Sequence, residues 1–294
     1  MHLFCHRLFR FVLFALPIFA VVATATATSA AAFKRILIVV LENTDYDDAI
    51  KQPFLGSLID RGALLTNYYA QTHPSQPNYI ALVAGSTFKT DDRFNGDAKV
   101  TLDARHVGDL LNAKSLSWKL YAEGYPGGPG KCFLRDDSGN YARKHVPFLS
   151  FKDVQTDRSQ CEKIVAAPQF DKDVSTGGLP AFALYVPDLQ NDGHDTGVRF
   201  ADDRLKAKFA NLLTNPDFMK DTLFVVTFDE GAGRGAHKRS HIATILLGDA
   251  VQPGAKSATP YTHYSLLRLV EDTFALGTLG REDAKATVID GIWK

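Results

Sequence analysis

Cysteine is scarce in this sequence, and neither acidic nor basic residues predominate. The 294 residues include 3 cysteines, 33 basic and 33 acidic side chains. The balanced charge argues against nucleic acid as a partner. The length and the 45% hydrophobic content suit one sizeable globular domain, and no composition break, linker or repeat supports a division into two.

Long apolar runs are also lacking, apart from one near the amino terminus that is too short to span a bilayer comfortably. Residues 11–23 are apolar, follow Arg7 and Arg10, and precede a stretch of small residues. This order is typical of a secretory signal peptide, so we expect export to remove residues 1–32. An uncleaved anchor is the alternative. The remaining chain, 33–294, would be secreted or periplasmic, and its slight net acidity offers no broad cationic face to hold a membrane.

Export also decides how the cysteines are interpreted. Cys5 would leave with the signal peptide, so only Cys132 and Cys161 would remain. In an exported chain this pair predicts one disulfide, with two buried free thiols as the alternative. The sequence has no N-glycosylation sequon, so that modification is not expected.

Apolar, β-branched runs alternate with helical patterns along the rest of the chain. The runs predict strands at 35–43, 63–70, 116–123, 180–188, 221–230 and 241–249, and the helical patterns lie at 53–62, 78–84, 104–115, 200–213 and 263–276. This alternation predicts an α/β fold with a mostly parallel central sheet and helices on both faces. From about 124 to 178 we expect an excursion from the sheet within the single domain.

Polar side chains follow the ends of three predicted strands. The acidic, amide and histidine side chains at these ends are Glu42, Asn43, Asp188, Asp192, His194, Asp195, Asp229 and Glu230. In a parallel sheet they would converge at one edge, where ligands bind. Singly, each could cap a helix, but together they would repel one another unless a cation neutralised them. Oxygen ligands suit Mg, Ca or Mn, while nearby histidine leaves Zn or Fe open.

Ser75 lies between Pro74 and Pro77, on a stiff turn before a short apolar helix that Gly85 ends. The hydroxyl could simply cap this helix. The turn also follows a predicted strand onto the same sheet edge, and a helix N-terminus favours anions. A metal beside Ser75 would stabilise its alkoxide without a histidine base. This combination predicts attack on a phosphate ester, giving a phosphoserine that water hydrolyses.

Several stretches resemble the secreted acid phosphatases of the phosphoesterase family: VVLEN, THPSQPNYIALVAG, YARKHVPF, PDLQNDGHD, VTFDEGAG and THYSLLRLVE. This family belongs to the alkaline-phosphatase-like superfamily, as do bacterial phospholipases C. The resemblance extends in order from about residue 34 to the carboxyl terminus. It implies an alkaline-phosphatase-like fold and hydrolysis of small phosphate esters or phosphoinositide headgroups, since one branch acts on phosphatidylinositol 3-phosphate.

The resemblance also implies a divalent metal ion and its ligands. These ligands are Glu42, Asn43, Ser75, Asp229 and Glu230. Ser75 would be both the nucleophile and a neighbour of the metal. Asp192 would serve a second metal or orient His194, and the sequence does not choose between one ion and two.

Histidines and two other residues complete the implied site. His145 and His194 match residues expected to contact the phosphoryl group or to protonate the leaving oxygen. Asn78 and Lys144 join these two histidines as expected substrate-binding residues. His241 is a weaker candidate for the same role, because polar residues are common where a strand begins.

Two other histidines and one basic loop remain ambiguous. His73 and His263 lie within the resembling stretches, where either a site or a supporting role is possible. The loop 231–240 carries four basic residues or histidines, Arg234, His237, Lys238 and Arg239. It would be either an anion-steering flap or an ordinary solvated loop.

Three other functions compete with a monoesterase. A sulfatase would need an arginine two residues after Pro77, in the stretch that begins at Ser75. This sequence has Tyr79 at that position, which counts against a sulfatase. A phospholipase C would use the same metal and nucleophile, but this chain is short and shows no additional lipid-binding domain. An exported metal-binding protein without activity would not need a serine such as Ser75 directed at the metal site.

Overall fold

A nine-stranded sheet runs through the described part of the chain. The computed structural model describes residues 33–92, 100–233 and 239–294. The strands are β1 (Arg35–Leu41), β2 (Ala63–Tyr69), β3 (Trp118–Ala122), β4 (Asp137–Ser138), β5 (Tyr141–Ala142), β6 (Ile164–Ala166), β7 (Phe182–Val186), β8 (Thr222–Phe228), β9 (His241–Leu247), β10 (Ala255–Ser257) and β11 (Tyr261–Thr262). The sheet order is β10-β2-β9-β8-β1-β7-β3-β6, with β11 also beside β2, and β4 and β5 pair separately.

The central strands β1, β7 and β8 are apolar because both of their faces are covered. Successive side chains of a strand point to opposite faces, and nearly every side chain of these three strands is buried. β1 pairs in parallel with both neighbours, so that Val39 lies opposite Tyr185 on one side and Val226 on the other. Only β9 is antiparallel to its neighbours in the sheet, among the strands that the structure describes. The predicted mostly parallel α/β sheet is therefore confirmed.

Helices connect and cover these strands. They are α1 (Tyr46–Ala49), α2 (Pro53–Arg61), α3 (Ser75–Ala84), α4 (Val107–Ala113), α5 (Lys152–Thr156), α6 (Arg158–Cys161), α7 (Pro168–Ser175), α8 (Val198–Phe209), α9 (Pro216–Met219) and α10 (His263–Thr273). Asp202 of α8 accepts hydrogen bonds from the N–H groups of Phe54 and Leu55 (2.9 and 2.8 Å), which satisfies the free donors at the start of α2. Within the described residues, no helix combines the length and apolarity needed to cross a membrane.

α3 begins at the turn that carries Ser75 and packs against α10. Its last residue is followed by Gly85, whose φ of 63° is left-handed. A Cβ at this glycine would collide with the carboxylate of Asp283, so only glycine fits here.

The segment from about 124 to 178 leaves the sheet and returns to it. It contains the β4–β5 hairpin and a disulfide between Cys132 and Cys161, whose Cα atoms are 5.5 Å apart. The predicted disulfide is thus confirmed. β6 lies inside this segment and forms the edge of the main sheet, in parallel with β3. Three residues are too few for sequence periodicity to reveal such a strand.

Candidate active site

The carboxyl ends of β1, β7 and β8 bring four carboxyl side chains together. Glu42 follows β1, Asp229 and Glu230 follow β8, and Asp192 lies in the loop after β7; none of the four is more than 1% exposed. The N–H of Glu42 donates to the carbonyl of Asp192 (2.9 Å), and the N–H of Asn43 donates to Asp229 Oδ1 (3.1 Å). The structure therefore places these side chains at one sheet edge, as the strand ends predict.

Ser75 directs its hydroxyl into this group. The Oγ donates to Glu42 Oε2 at 3.0 Å and lies 3.4 Å from Glu230 Oε1, and the residue is 2% exposed. Pro74 precedes the helix, and no side chain caps it. Ser75 is thus not the cap of α3, since its hydroxyl contacts carboxylates rather than backbone N–H groups.

Asn78 fixes the shape of the turn that presents Ser75. Its Oδ1 accepts hydrogen bonds from the N–H groups of Gln71 (2.9 Å) and Thr72 (3.1 Å). Its Nδ2 donates to the carbonyls of Thr72 (2.9 Å) and Pro74 (3.1 Å). The amide is 1% exposed and fully used by the main chain. The geometry therefore favours a positioning role over the predicted contact with substrate.

Burial disfavours the charged forms of the four carboxyl groups. Burial is the largest cause that raises the pKa of Glu42 well above its ordinary value, and the charges of Asp229 and Asp192 add to it. Burial likewise raises the pKa of Asp192 to about 8 and that of Asp229 to about 6. For Glu230, burial and then the charge of Asp229 raise the pKa to about 9. A nearby cation would remove this penalty.

Five buried oxygens at this edge accept no hydrogen bond from the residues that the structure describes. They are Glu42 Oε1, Asn43 Oδ1, Asp192 Oδ2, Asp229 Oδ2 and Glu230 Oε2. Buried polar atoms are normally paired, and carboxylate and amide oxygens are preferred ligands of hard divalent cations. Asn43 also has a left-handed φ of 45°, a conformation that asparagine tolerates better than most residues. The residues present therefore fit the divalent metal that the resemblance implies.

His145 lies between two of the carboxylates. Its Nε2 is 3.2 Å from Glu42 Oε1, its Nδ1 is 3.6 Å from Asp192 Oδ2, and the ring stacks on Tyr79 at 5.0 Å. Burial, followed by the charge of Lys144, holds the pKa of His145 well below its ordinary value. The imidazole is therefore neutral, with a nitrogen lone pair that a cation could use.

Lys144 approaches the same carboxylates from the neighbouring position. Burial opposes its charge, but Glu42 and Asp92 outweigh that effect and raise the pKa of Lys144. Its Nζ lies 3.3 Å from Asp92 Oδ2. The structure places a positive charge here, and the predicted role of Lys144 in substrate binding stays a prediction. Asp92 is a partner that the sequence does not indicate.

His194 stands at the rim rather than inside the group. Its N–H donates to Asp192 Oδ1 at 2.8 Å, while ring Nδ1 lies 2.7 Å from Asp195 Oδ1. Its side chain is 35% exposed, so the ring can meet an incoming substrate. Asp192 thus contacts the backbone of His194, and its predicted role, serving a second metal or orienting His194, stays a prediction.

His73 and His263 contact the group from two further directions. His73 Nδ1 is 2.7 Å from Glu230 Oε1, and its side chain is 25% exposed. His263 is buried and lies between the Asp229 carbonyl (2.8 Å from Nε2) and the hydroxyl of Tyr68 (3.2 Å from Nδ1). His73 therefore stands at the site, whereas His263 supports its backbone.

His241 is held away from the carboxylates by its own contacts. Its Nε2 lies 3.0 Å from the Thr66 carbonyl, and its ring stacks with Tyr46 (4.1 Å) and Tyr69 (5.1 Å). Its predicted role in substrate binding stays a prediction. In the neighbouring basic loop, Arg239 is exposed. The other three basic or histidine positions, Arg234, His237 and Lys238, lie outside the described residues.

Sequence reasoning missed Glu123, which anchors the loop that carries Asp192. Its Oε1 accepts from the Tyr185 hydroxyl (2.8 Å), and its Oε2 accepts from Asn191 Nδ2 (2.7 Å) and the N–H of Asp188 (3.3 Å). A signal was available, because Glu123 follows β3 just as the recognised acids follow their strands.

A second histidine–carboxylate group, His106 with Asp109 and Asp153, lies elsewhere. His106 Nδ1 accepts the N–H of Gly108 at 3.0 Å, so its proton resides on Nε2, 3.2 Å from Asp153. Because neither nitrogen keeps a lone pair for a metal, this group caps α4 and is not a metal centre.

A model of the phosphoesterase family matches residues 48–277, which is more than half of the chain. The chain belongs to the phosphoesterase family. The matched range includes Ser75, His145, Asp192, Asp229 and Glu230. Glu42 and Asn43 lie before it, so their place in the site rests on the contacts described above.

Relatives of this phosphoesterase have names that bear on its activity. It is 40% identical over 268 residues to a "Probable acid phosphatase" of Kluyveromyces lactis, which covers 88% of this chain and 62% of that protein. It is 34% identical over 286 residues to a "Phosphatidylinositol-3-phosphatase" of Mycobacterium tuberculosis, which covers 95% of this chain and 88% of that protein. The chain thus spans less than two thirds of the length of the fungal relative.

Solved structures resemble this phosphoesterase in fold. A crystal structure of a protein in the alkaline phosphatase superfamily from Vibrio parahaemolyticus has a TM-score of 0.59 and 16% identity, covering 87% of this chain and 71% of that chain. At this identity the likeness concerns the fold alone. The predicted alkaline-phosphatase-like fold is confirmed.

Proposed function

We propose that this phosphoesterase hydrolyses phosphate monoesters through a phosphoserine at Ser75, as an acid phosphatase. The observation that carries the proposal is the 3.0 Å hydrogen bond from Ser75 Oγ to Glu42 Oε2, inside a buried group of carboxylates. The names of the relatives in the family support the same reaction. A phosphodiesterase of the phospholipase C type has no observation in its favour among these.

The proposal includes a divalent metal ion. The residues that would hold it are Glu42, Asn43, Ser75, Asp229 and Glu230. When bound, such an ion lowers the pKa of the serine hydroxyl and neutralises the surrounding carboxylates. His145, Glu42 and Asp192 also place one ligand atom each within 4.8 Å of one another, which would suit a second ion.

The side chains account for both halves of the reaction. Ser75 Oγ forms a bond to phosphorus while its hydrogen passes to the carboxylate that already accepts it, and the bond from phosphorus to the ester oxygen breaks. The leaving oxygen takes a proton, for which the exposed ring of His194 is placed at the rim. Water then attacks phosphorus, the bond to Oγ breaks, and Oγ regains a proton as phosphate leaves.

The proposal also covers the substrate and the location. We propose small phosphate esters or phosphoinositide headgroups as substrates, in line with the name of the mycobacterial relative. The charge pattern of residues 1–32 supports export.

The test compares p-nitrophenyl phosphate with p-nitrophenyl phosphorylcholine on purified protein, with and without a chelator. We expect hydrolysis of the monoester, loss of activity with the chelator, and recovery with one added divalent metal. Acid quenching should leave one phosphoryl group on the peptide that contains Ser75. Faster cleavage of the phosphorylcholine ester would favour a phosphodiesterase, and an unlabelled Ser75 peptide would refute the phosphoserine.

A further inference from the structure

A cavity of about 500 Å³ opens between the turn of the nucleophile and the loop that follows α3. One wall consists of Gln71, Thr72 and Pro77, which surround Ser75 in sequence. A second wall is the loop 87–91, and Tyr264 of α10 also lines the cavity. None of these residues has a part in the chemistry described above.

Both walls lead to the catalytic group. The first wall carries Ser75 itself, whose turn is bonded through Asn78 to the N–H groups of Gln71 and Thr72. The second wall continues directly into Asp92, which lies 3.3 Å from Lys144 Nζ. The cavity therefore borders the place where the alcohol part of an ester bound at Ser75 would extend.

The lining of the cavity is polar and includes two cations. Thr72, Thr87 and Thr90 contribute hydroxyls, and Lys89 and Arg239 contribute positive charges. Neither cation has a carboxylate within ion-pair distance among the residues that the structure describes. Such walls disfavour an apolar alcohol, because its burial would remove water from the two cations without giving them a partner.

A buried amide and a carboxyl group add hydrogen-bonding capacity. Gln71 is 9% exposed, and its Nε2 donates no hydrogen bond within the described part of the chain. Glu282 also lines the cavity. Carboxylates accept hydrogen bonds from hydroxyl groups, whereas the cations and the amide donate to anionic oxygens. Donors and acceptors of both kinds suit an alcohol with many oxygen atoms.

The backbone at Lys89 is strained in a way that keeps this lysine at the cavity. Phe88 and Lys89 both have left-handed φ values, 48° and 53°, which are unfavourable for residues other than glycine. The ring of Phe88 is anchored 5.0 Å from the guanidinium of Arg281. Glycine would relieve the strain at position 89 but would carry no charge. Strain of this kind persists most often at ligand sites.

We propose that this cavity binds the alcohol part of the substrate and selects an oxygen-rich alcohol that carries its own anionic group, which Lys89 and Arg239 contact. The inference rests on the proposed phosphomonoesterase activity and adds a substrate class to it. It also assigns a role to Arg239, which is consistent with the anion-steering interpretation of its loop.

The test uses two esters that differ in one group, 3-phosphoglycerate with a carboxylate and glycerol 3-phosphate with a hydroxymethyl group. We expect the parent protein to prefer 3-phosphoglycerate by about tenfold in kcat/KM, mostly through KM, since one charge-assisted hydrogen bond is worth about this much. Lys89→Gln and Arg239→Gln should each reduce the ratio of the two kcat/KM values toward one. Raising the ionic strength should reduce it as well.

Two variants separate charge from structure. Lys89→Arg should keep the preference, whereas Lys114→Gln removes an exposed lysine outside the cavity and should change neither ester. Equal kcat/KM for the two esters in the parent, or an unchanged preference in Lys89→Gln and Arg239→Gln, would overturn the inference. Lack of any hydrolysis of p-nitrophenyl phosphate by the parent would instead refute the proposed function, so the two failures are distinguishable.

Discussion

The carboxyl groups at the sheet edge and the pair Glu271–Asp283 beneath α10 are equally buried, yet their surroundings differ. Asp283 accepts the N–H of Arg281 (2.9 Å) and of Leu279 (2.8 Å), and Glu271 accepts the N–H of Leu279 (3.2 Å). Burial, and then the charge of Asp283, raises the pKa of Glu271 to about 8. Glu271 therefore keeps its proton at neutral pH.

At the sheet edge, backbone donors and one proton do not compensate for the burial of the carboxyl groups. Four carboxyl groups meet there, and each keeps one buried oxygen without a hydrogen-bond donor among the described residues. The comparison shows how to distinguish a structural acid group from a site: the pair keeps one such oxygen, Glu271 Oε2, and a proton offsets its burial, whereas the site keeps four such carboxyl oxygens for a ligand.

The largest effect is expected from Ser75→Ala. Removal of the nucleophile should lower kcat/KM for p-nitrophenyl phosphate by at least about a thousandfold, with little change in Tm, because one hydroxyl leaves a small gap. Ser57→Ala is a matched control, since Ser57 Oγ only bonds the Phe54 carbonyl in α2. Retention of activity in the Ser75 variant would show that the aimed hydroxyl is not the nucleophile.

Asp229→Asn should weaken binding of the divalent metal by about ten- to a hundredfold. Asparagine keeps an oxygen that can accept the N–H groups of Asn43 and Glu230, so the backbone should hold. The variant should also be less sensitive to chelation, because one repelling charge is gone when the metal leaves. Titration calorimetry and Tm with and without chelator measure both effects. An equal fall of Tm on chelation in parent and variant would contradict the cation site.

Glu123→Gln should lower kcat about tenfold with a smaller change in KM. Glutamine can still accept from Tyr185, but its amide nitrogen cannot accept from Asn191 and Asp188, so the loop that holds Asp192 loosens. Tyr185→Phe removes the third bond alone and should keep kcat near that of the parent. If both variants lose kcat to the same extent, Glu123 acts through general stability and not through the loop.

The smallest effect is expected from Glu271→Gln, and it concerns stability against pH. The pKa of Glu271 rises from its ordinary 4.5 to about 8 on folding, so its contribution to stability is fully present below about pH 4.5 and is lost as pH rises through about 8. Glutamine stays neutral, so above that pH the free energy of unfolding of the variant should exceed that of the parent by about 1 kcal/mol. Urea denaturation of both proteins measures this difference. Parallel stability curves for parent and variant would contradict the proton on Glu271.

Much of the sheet and of the site could be predicted because local pattern decides both. Apolar β-branched runs define β1, β7 and β8, and parallel strands must bring Glu42 and Asp229 to the same edge. The prolines around Ser75 likewise indicate a turn at the start of a helix. These features depend on neighbours in sequence.

The remaining features depend on partners far away along the chain. Three residues of β6 form a strand only because β3 offers them an edge. The hydrogen bonds of the Asn78 amide to its own turn, and the two tyrosine rings that stack on His241, are contacts that the sequence does not indicate. Such choices follow from tertiary packing, which the sequence pattern does not encode.

The reversed direction of β9 has a consequence for how this enzyme class diversifies. A parallel neighbour would require a crossover to the far end of the sheet, but β8 ends and β9 begins on the same side, next to Glu230. A hairpin connection of this kind can change in length without disturbing strand pairing, provided that Asp229 and Glu230 at its start are kept. Insertion beyond Glu230 would therefore reshape the entrance to the site and leave the sheet unchanged.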